Sequence, residues 1–409
     1  MKRPLSDIKV GLDFGEEIWP VGRLATHDGI IYFEYHNAFL QSNLEISPLR
    51  LPLKPGVSSF APGPFEGLAG VFSDSLPDGW GRLLFGRYMQ SQGVLSSEIT
   101  PLERLAYVGL KGMGALVYEP DFSQPDIHGL IQLDYFAEKA EEVLTGGSGD
   151  VIKELLSLNG SSAGARPKAL IGLDRNRQNI SHGAKHLAEG FEPWLVKFPN
   201  ILDGTDAGAI EYIYAIMAKK AGVNIPEVHL FSSQKGAGYF AVKRFDRDGS
   251  KRYHMHTAAG LLHSDYRMPS LDYEDLLTLT GALTKDIREV EKMYRLAVFN
   301  VLSHNRDDHA KNFSFLMDKN GQWQLSPAYD LTFSSGPKGE QSTMVMGEGK
   351  NPKEQHLIKL GLEAQLSKQL IDGIIEQTKY ALGQWGQLAK EYGISPEKVT
   401  LIETQIKRT

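Results

Sequence analysis

The sequence predicts an α+β fold in two lobes with a β-rich subdomain in front of them. Three observations carry this expectation. Residues 1 to 120 alternate apolar and polar side chains between Gly- and Asp-containing turns. Beyond Arg247 the chain reads mainly as amphipathic helices, with a single hairpin set among them. At 409 residues it is long enough for two or three domains with substantial cores. The expected units are 1–120, a mixed segment 121–247, and a helical segment 248–409.

In the first unit, Ile8–Leu12 and Gly22–Ala25 alternate, and Ile30–Tyr35 is a fuller strand after the turn Asp28-Gly29. Gly67–Ser75 reads as a short helix, Pro77-Asp78-Gly79 as a turn, and Arg82–Gln90 and Pro101–Tyr107 as helices. A strand over Gly112–Tyr118 closes the unit, and the Asp- and Pro-containing stretch Glu119–Gly129 marks its end. The second unit runs through helices at Leu133–Leu144 and Val151–Leu156, then strands at Ala169–Leu173 and Trp194–Phe198. Asp174–Gly190, between those strands, reads as an exposed polar excursion. An amphipathic helix at Gly208–Ala221 and strands at Val228–Phe231 and Tyr239–Phe245 complete it. In the third unit, helices are expected at Thr257–Leu262, Tyr273–Thr280, Lys285–Ser303, Glu363–Ile374 and Ile375–Tyr392. The apolar face of Glu363–Leu370 reads as core rather than as a partner groove. The hairpin joins Phe313–Met317 to Gln322–Leu325 through Asn320-Gly321, a strong turn signal.

Bulk properties exclude several classes of function. With 44 Lys and Arg against 50 Asp and Glu, the net charge of −6 gives no global argument for nucleic acid. The absence of cysteine excludes disulfides, thiolate metal sites and cysteine nucleophiles. No apolar run is long enough to span a membrane, and no apolar segment follows the basic N-terminal residues as in a signal peptide, so a cytoplasmic protein without a membrane partner is expected. There is no H-E-x-x-H zinc pattern and no G-x-S-x-G elbow. His254 and His256 flank Met255 on a strand and are expected on its opposite sides, which argues against a metal pair.

The polar stretch Asn305–Asn312 carries the chemistry. Arg306-Asp307 is followed after four residues by Asn312, the spacing of a kinase catalytic loop. There a carboxylate orients the attacking hydroxyl, while an amide oxygen on the same loop holds a metal against the phosphates. A lone loop Asp is ordinarily a turn or capping residue. Here the hairpin returns the chain so that Asp330, in Tyr329-Asp330-Leu331, comes back beside Asn312 as a second metal ligand. Asp330 lacks the Phe-Gly that usually follows. Lys197, on an apolar strand, is expensive to bury without an anion and is a candidate for binding phosphate; otherwise it is a snorkelling edge lysine. Glu211 lies on the next helix as a possible partner. Gly160–Lys168 is a small, hydroxyl-rich loop whose N–H groups could cradle phosphates, although it matches neither the Walker A nor the G-x-G-x-x-G pattern. Together these features describe the two-lobe layout of a protein kinase.

On these residues the chain resembles the HipA-type serine/threonine kinases, toxins of bacterial toxin–antitoxin pairs. The resemblance rests on Phe72–Asp78, Ser161–Lys168, Lys243–Arg247, Asp307–Ser314 and Tyr329–Leu331, and covers nearly the whole chain. It implies that Asp307 is the catalytic base, that Asn312 and Asp330 hold Mg2+, and that Lys197 contacts the phosphates of ATP. It further implies a phosphate loop of Ala163, Gly164, Ala165, Arg166 and Pro167 with Lys168 nearby. Lys243, Arg244 and Phe245 would form the hinge that meets adenine, with Lys243 where family members often carry Glu, and His309 and Lys311 would also contact the nucleotide. The family inactivates itself by autophosphorylating a serine of the phosphate loop, here Ser161, with Ser162 as the second candidate. Family targets include aminoacyl-tRNA synthetases, and the usual partner is a HipB-like helix-turn-helix antitoxin that carries the kinase onto operator DNA. Two other readings compete: a corepressor module on antitoxin-bound DNA with little kinase activity, and a kinase of small molecules.

Overall fold

The computed structural model describes residues 5–125, 131–146, 149–159, 164–183, 187, 189–200, 204–268 and 270–408. Its N-terminal subdomain is built on a five-stranded antiparallel sheet of β1 (Asp7–Asp13), β2 (Ile18–His27), β3 (Ile30–Tyr35), β4 (Val57–Ser59) and β5 (Leu116–Glu119), in the order β4-β3-β2-β1-β5. Ile8, Val10 and Leu12 alternate inward from β1, as the two-residue period of a strand requires, and pack with Leu24 and Phe33. Helices α1 (Gly70–Ser73) and α3 (Pro101–Val108) cover this face. Pro101 stands in the first turn of α3, where its missing N–H is harmless. Thr100 and Glu103 close a reciprocal cap before it. Helix α2 (Gly79–Ser91) instead buries Trp80 and Leu84 in the core of the next unit.

That unit is a second antiparallel sheet, ordered β7-β6-β8-β10-β9, formed by β6 (Lys168–Asp174), β7 (Ile180–His182), β8 (Phe191–Lys197), β9 (Val228–Phe231) and β10 (Tyr239–Lys243). Helices α4 (Leu133–Leu144) and α5 (Gly149–Asn159) pack on it, and α6 (Ala207–Lys220) follows β8. The stretch 174–190 is not wholly an excursion, because Ile180–His182 pairs with β6 as an edge strand. A two-residue hairpin, β11 (Arg247–Asp248) and β12 (Lys251–Arg252), leads to the C-terminal lobe.

There β13 (His254–Thr257) starts a three-stranded sheet and α7 (Ala258–Leu262) follows. The short strand β14 (Leu271–Asp272) leads into α8 (Tyr273–Thr284) and α9 (Ile287–Leu302), and the hairpin β15 (Ser314–Met317) and β16 (Trp323–Leu325) completes that sheet. After β17 (Thr343–Met344), which pairs with β14, come α10 (Glu354–Glu363), α11 (Lys368–Leu382), α12 (Trp385–Glu391) and α13 (Pro396–Ile406). The two C-terminal helices expected from the sequence are thus four. Gln365 turns the chain at φ 60°, and Ser367 then caps α11 through its hydroxyl to the Leu370 N–H, so the helix expected over 363–374 is cut near its start. Helix α9 is the axis of this lobe: Met293, Tyr294, Ala297, Val298 and Val301 are all buried, where α8, α10 and α11 meet it. The fold is α+β and protein-kinase-like, two-lobed, with an added β-rich N-terminal subdomain and a mainly helical C-terminal lobe.

Buried carboxylates fasten these units together. Asp74, after α1, accepts hydrogen bonds from the Thr257 N–H and hydroxyl at 2.8 Å each and lies 2.6 Å from the His256 ring. The other nitrogen of that ring meets the Ser47 hydroxyl. His254 and His256 share one face of β13, with ring centroids 6.2 Å apart. The expectation of opposite faces is therefore wrong, since residues two apart on a strand point the same way. His256 is committed to Asp74 and Ser47, the His254 Nε2 lies 2.8 Å from the Ile46 carbonyl, and burial lowers the His254 pKa to about 3. Asp246 is wholly buried and takes the guanidinium groups of Arg244 and Arg247 together with the Gly114 N–H of the N-terminal subdomain.

Removing Asp246 strands two buried cations. Asp246→Ala should lower stability by about 3 kcal/mol or more, read as a lower midpoint of thermal unfolding. A midpoint unchanged from wild type would show that solvent reaches Arg244 and Arg247.

Candidate functional site

The site gathers where the second sheet faces α6 and the catalytic loop. Lys197 ends β8, and its ammonium group is buried against the carboxylates of Glu211, on α6, and Asp330. Burial alone would depress its pKa, but the charges of Asp330 and Glu211 outweigh that and hold it above the ordinary lysine value. Asp330 shows the converse. Burial favours its neutral form, yet Lys197 and then Lys168 keep it ionised well below the usual carboxylate range. Its backbone sits at φ 56°, a left-handed conformation that Asp tolerates better than most residues.

Lys168 is directly opposite Lys197 in the β6–β8 register, so two ammonium groups share one face of the sheet. Burial brings the pKa of Lys168 down to about 8, with the nearby Asp330 opposing the fall. Arg166 reaches the second oxygen of Glu211 at 3.3 Å. Three cations therefore stand around Glu211 and Asp330, at the end of the loop expected to cradle phosphates. Of that loop, Ser161, Ser162 and Ala163 lie outside the described residues. Gly164 and Ala165 rest on the start of α2, where the Trp80 N–H donates to the Gly164 carbonyl at 3.1 Å. Gly79, at φ 38°, allows this approach; a Cβ there would come within 2.6 Å of the Ala165 Cα. Pro167 accepts from the Phe198 N–H, fixing the loop's exit.

The catalytic loop follows α9 and contains two adjacent carboxylates with different surroundings. The Asp307 carboxylate is open to the cleft and makes no hydrogen bond among the described residues. Its pKa is raised, chiefly by partial burial, with His309 lowering it and Asp330 adding to the rise. Asp308 is 1% exposed and accepts from the Tyr273 hydroxyl at 2.6 Å, Gln341 Nε2 at 2.9 Å, and the N–H groups of Ser342 and Thr343 at 3.0 and 3.2 Å. Burial still raises its pKa to about 6 against those donors. Asn300 and Asn305 extend the network behind Tyr273. Asn312 donates from Nδ2 to the Asp307 carbonyl at 2.7 Å, leaving its amide oxygen as the remaining acceptor. The hairpin returns as expected: the Tyr329 hydroxyl, beside Asp330, donates to the Lys311 carbonyl, beside Asn312.

Asp307, Asn312, Asp330, Lys197, Lys168, Arg166 and Glu211 thus come together. Others stand apart from them. Lys311 extends its ammonium to Asp78 of the N-terminal subdomain at 3.0 Å, over the ring of Tyr266. The His309 ring lies against the same tyrosine. Lys243 pairs with Glu192, and Arg244 is consumed by Asp246, so neither side chain is at hand for a nucleotide base. The backbone N–H groups of both are bonded too, to the Glu227 and Pro193 carbonyls. The Phe245 ring lies 5.5 Å from that of Tyr329. Sequence reasoning missed Tyr273, Gln341, Thr343 and Asp78. Only Asp78, within a Pro-Asp-Gly turn, carried any signal.

An oxygen-binding metal fits the pair Asn312 and Asp330. Both offer oxygen, Asp330 is ionised, and two protein ligands suit Mg2+, which keeps waters and phosphate oxygens around itself. No cluster of three His, Cys, Asp or Glu suited to a metal occurs among the described residues. Nor is any described helix long and apolar enough to cross a membrane.

Residues 160–385 match the family described as the HipA-like C-terminal domain, and residues 17–119 match the HipA N-terminal domain. The kinase-named protein Y4dM of Sinorhizobium fredii is 26% identical over 205 residues, 45% of this chain and 49% of that protein. The serine/threonine-protein kinase toxin HipA of Shewanella oneidensis is 27% identical over 146 residues, 30% of this chain and 33% of that one. The alignments span about half and a third of those relatives. The solved complex of Shewanella oneidensis HipA with HipB and its operator DNA contains a chain of the same fold, with a TM-score of 0.68 at 17% identity over 97% of this chain and 95% of that one.

The raised pKa of Asp308 gives a signed pH dependence. The folded chain holds this proton more tightly than the unfolded chain, so the contribution to stability is fully present below about pH 4 and is lost as pH rises through about 6. The difference in unfolding free energy between wild type and Asp308→Asn should therefore favour wild type more at pH 4 than at pH 7.5, by on the order of 2–3 kcal/mol. A flat difference curve would mean that the surrounding donors keep the carboxylate ionised throughout.

Proposed function

The chain belongs to the HipA family, and from that premise we propose that it is an ATP- and Mg2+-dependent protein serine/threonine kinase that acts as a toxin. The observation that carries this reading is the buried Lys197, clamped between Glu211 and Asp330 beside an unengaged Asp307. Lys197 and Arg166 face the carboxylate of Glu211, and Asp330 acts on both Lys197 and Lys168. The phosphates of a nucleotide would supply the further negative charge that such a cluster can stabilise. Asn312 and Asp330 would hold the metal, whose chemistry there is to neutralise charge on the transferring phosphoryl group.

Asp307 would orient the acceptor hydroxyl and take its proton. Its raised pKa brings it closer to the range where a carboxylate accepts a proton usefully, and among the described residues no donor occupies its oxygens. Asp308 would hold the loop in register from below. A corepressor module with little transfer activity is the weaker alternative, because binding alone gives no reason to keep an uncommitted carboxylate beside a cation cluster.

Three finer parts of the proposal rest on family resemblance. Ser161, or Ser162 beside it, would be autophosphorylated; nearly two negative charges in a loop built for nucleotide phosphates would repel them and silence the kinase. A HipB-like antitoxin would neutralise the toxin and carry it to DNA. A translation component such as an aminoacyl-tRNA synthetase would be the target.

With labelled ATP, Mg2+ and a bacterial lysate, the wild type should label a protein band that Asp307→Ala loses, a fall of about 10²–10⁴-fold. Absence of turnover in the wild type, with antitoxin binding retained, would select the corepressor reading. Ser161→Ala should prolong activity in a time course; phosphate mapped solely to Ser162 or elsewhere would reassign the loop.

A further inference from the structure

A polar cavity of about 200 Å³ opens beside the catalytic loop, between the N-terminal subdomain and the C-terminal lobe. Its charged lining is unbalanced. Arg82, Arg104, Arg267 and Lys311 face it, against the carboxylates of Glu66 and Asp78 in the lining and of Asp265, which pairs with Arg267. Glu66 alone serves two of the cations: it pairs with the Arg104 guanidinium and accepts from Arg82 at 3.2 Å. Arg104 is 4% exposed, and its Nε is buried without an acceptor among the described residues. Arg82 and Arg267, by contrast, have side chains 60% and 56% exposed; Arg82 leans on Glu66 and Arg267 on Asp265 at 2.8 Å, exposed pairs that an incoming carboxylate can share.

Size and position narrow what such a ligand could be. The volume is below the roughly 300–1,000 Å³ of small-molecule sites, and suits a single side chain. Lys311 belongs to the same loop as Asp307, four positions further on. A chain that brings its hydroxyl to Asp307 could therefore reach this cavity with a side chain nearby in its sequence. We propose that this cavity binds an acidic side chain of the protein being phosphorylated, close in sequence to the accepting serine or threonine, and so sets the sequence preference of the enzyme. The proposal rests on the kinase reading above and adds to it a class of acceptor.

The test uses the full chain with Mg2+ and ATP and a degenerate peptide set containing one Ser or Thr. Each flanking position is fixed in turn as Asp, Glu, Ala or Lys. The wild type should prefer Asp or Glu over Ala at one flanking position by about tenfold in kcat/KM, the size of one charge-assisted hydrogen bond. Arg82→Glu with Arg267→Glu should lose that preference or turn it toward Lys, while autophosphorylation stays within about twofold of wild type. Arg267→Glu alone, at a side chain more than half exposed, should weaken it in the same direction. No acidic preference in the wild type, or the same preference in both variants, overturns the proposal. If the wild type transfers phosphate neither to itself nor to any peptide, the kinase reading fails first and takes this one with it.

Discussion

The rest of the site depends on one buried cation. Lys197 is carried by the N-lobe sheet, Glu211 by the helix behind it, and Asp330 by the C-lobe segment after the hairpin. An ammonium group in that position is tolerable only while both carboxylates face it. The two lobes are thus held to one relative position by electrostatics at the cleft. Lys168, opposite Lys197 on the sheet, makes the arrangement more demanding, because a second buried cation draws on the same anions. The nucleotide proposed above would bring negative charge between the lobes and ease that demand.

The N-terminal subdomain takes part in this arrangement. Asp74 closes on Thr257 and His256, Gly114 donates to Asp246, and Asp78 takes both Lys311 of the catalytic loop and the hydroxyl of Tyr266. One residue further on, Gly79 and Trp80 support Gly164 of the phosphate loop. The start of α2 thereby touches the two loops on which the proposed chemistry relies. That is a physical reason for the Pro-Asp-Gly turn: Asp supplies the anion, and Gly lets the loop backbone approach.

The order of elements, the sheet-bearing first half, the hairpin and the cluster of Asp307, Asn312, Asp330 and Lys197 were legible in the sequence. Strand alternation, the Asn320-Gly321 turn and the fixed spacing after Arg306 are local signals, and local signals survive in a string. What was not legible depends on long-range pairing. The capture of Lys311 by Asp78 joins residues that are 233 positions apart. Arg244 and Lys243 read as hinge residues, yet the partners that take their side chains are set by tertiary packing. The same holds for β7, whose three residues are strand only because β6 lies beside them. The misreading of His254 and His256 has a different origin, since the two-residue period of a strand already places them on one face.

The two adjacent aspartates show how structure divides roles that spacing leaves open. Either could act as a base in principle, and the offset to Asn312 favours Asp307 only by comparison with a known loop. The surroundings give an independent reason. A base needs a lone pair directed at its proton and room for the group that carries it. Asp308 has neither, because four donors fill its oxygens and protein surrounds it on every side. Its buried anchoring instead fixes the backbone of its neighbour, and the Thr343 hydroxyl bonds its carbonyl as well. Asp307 is exposed and, among the described residues, its oxygens take no hydrogen bond, while Asp330 is near enough to raise its proton affinity. The fully buried carboxylate orders the loop, and the exposed one is left for the role proposed for it.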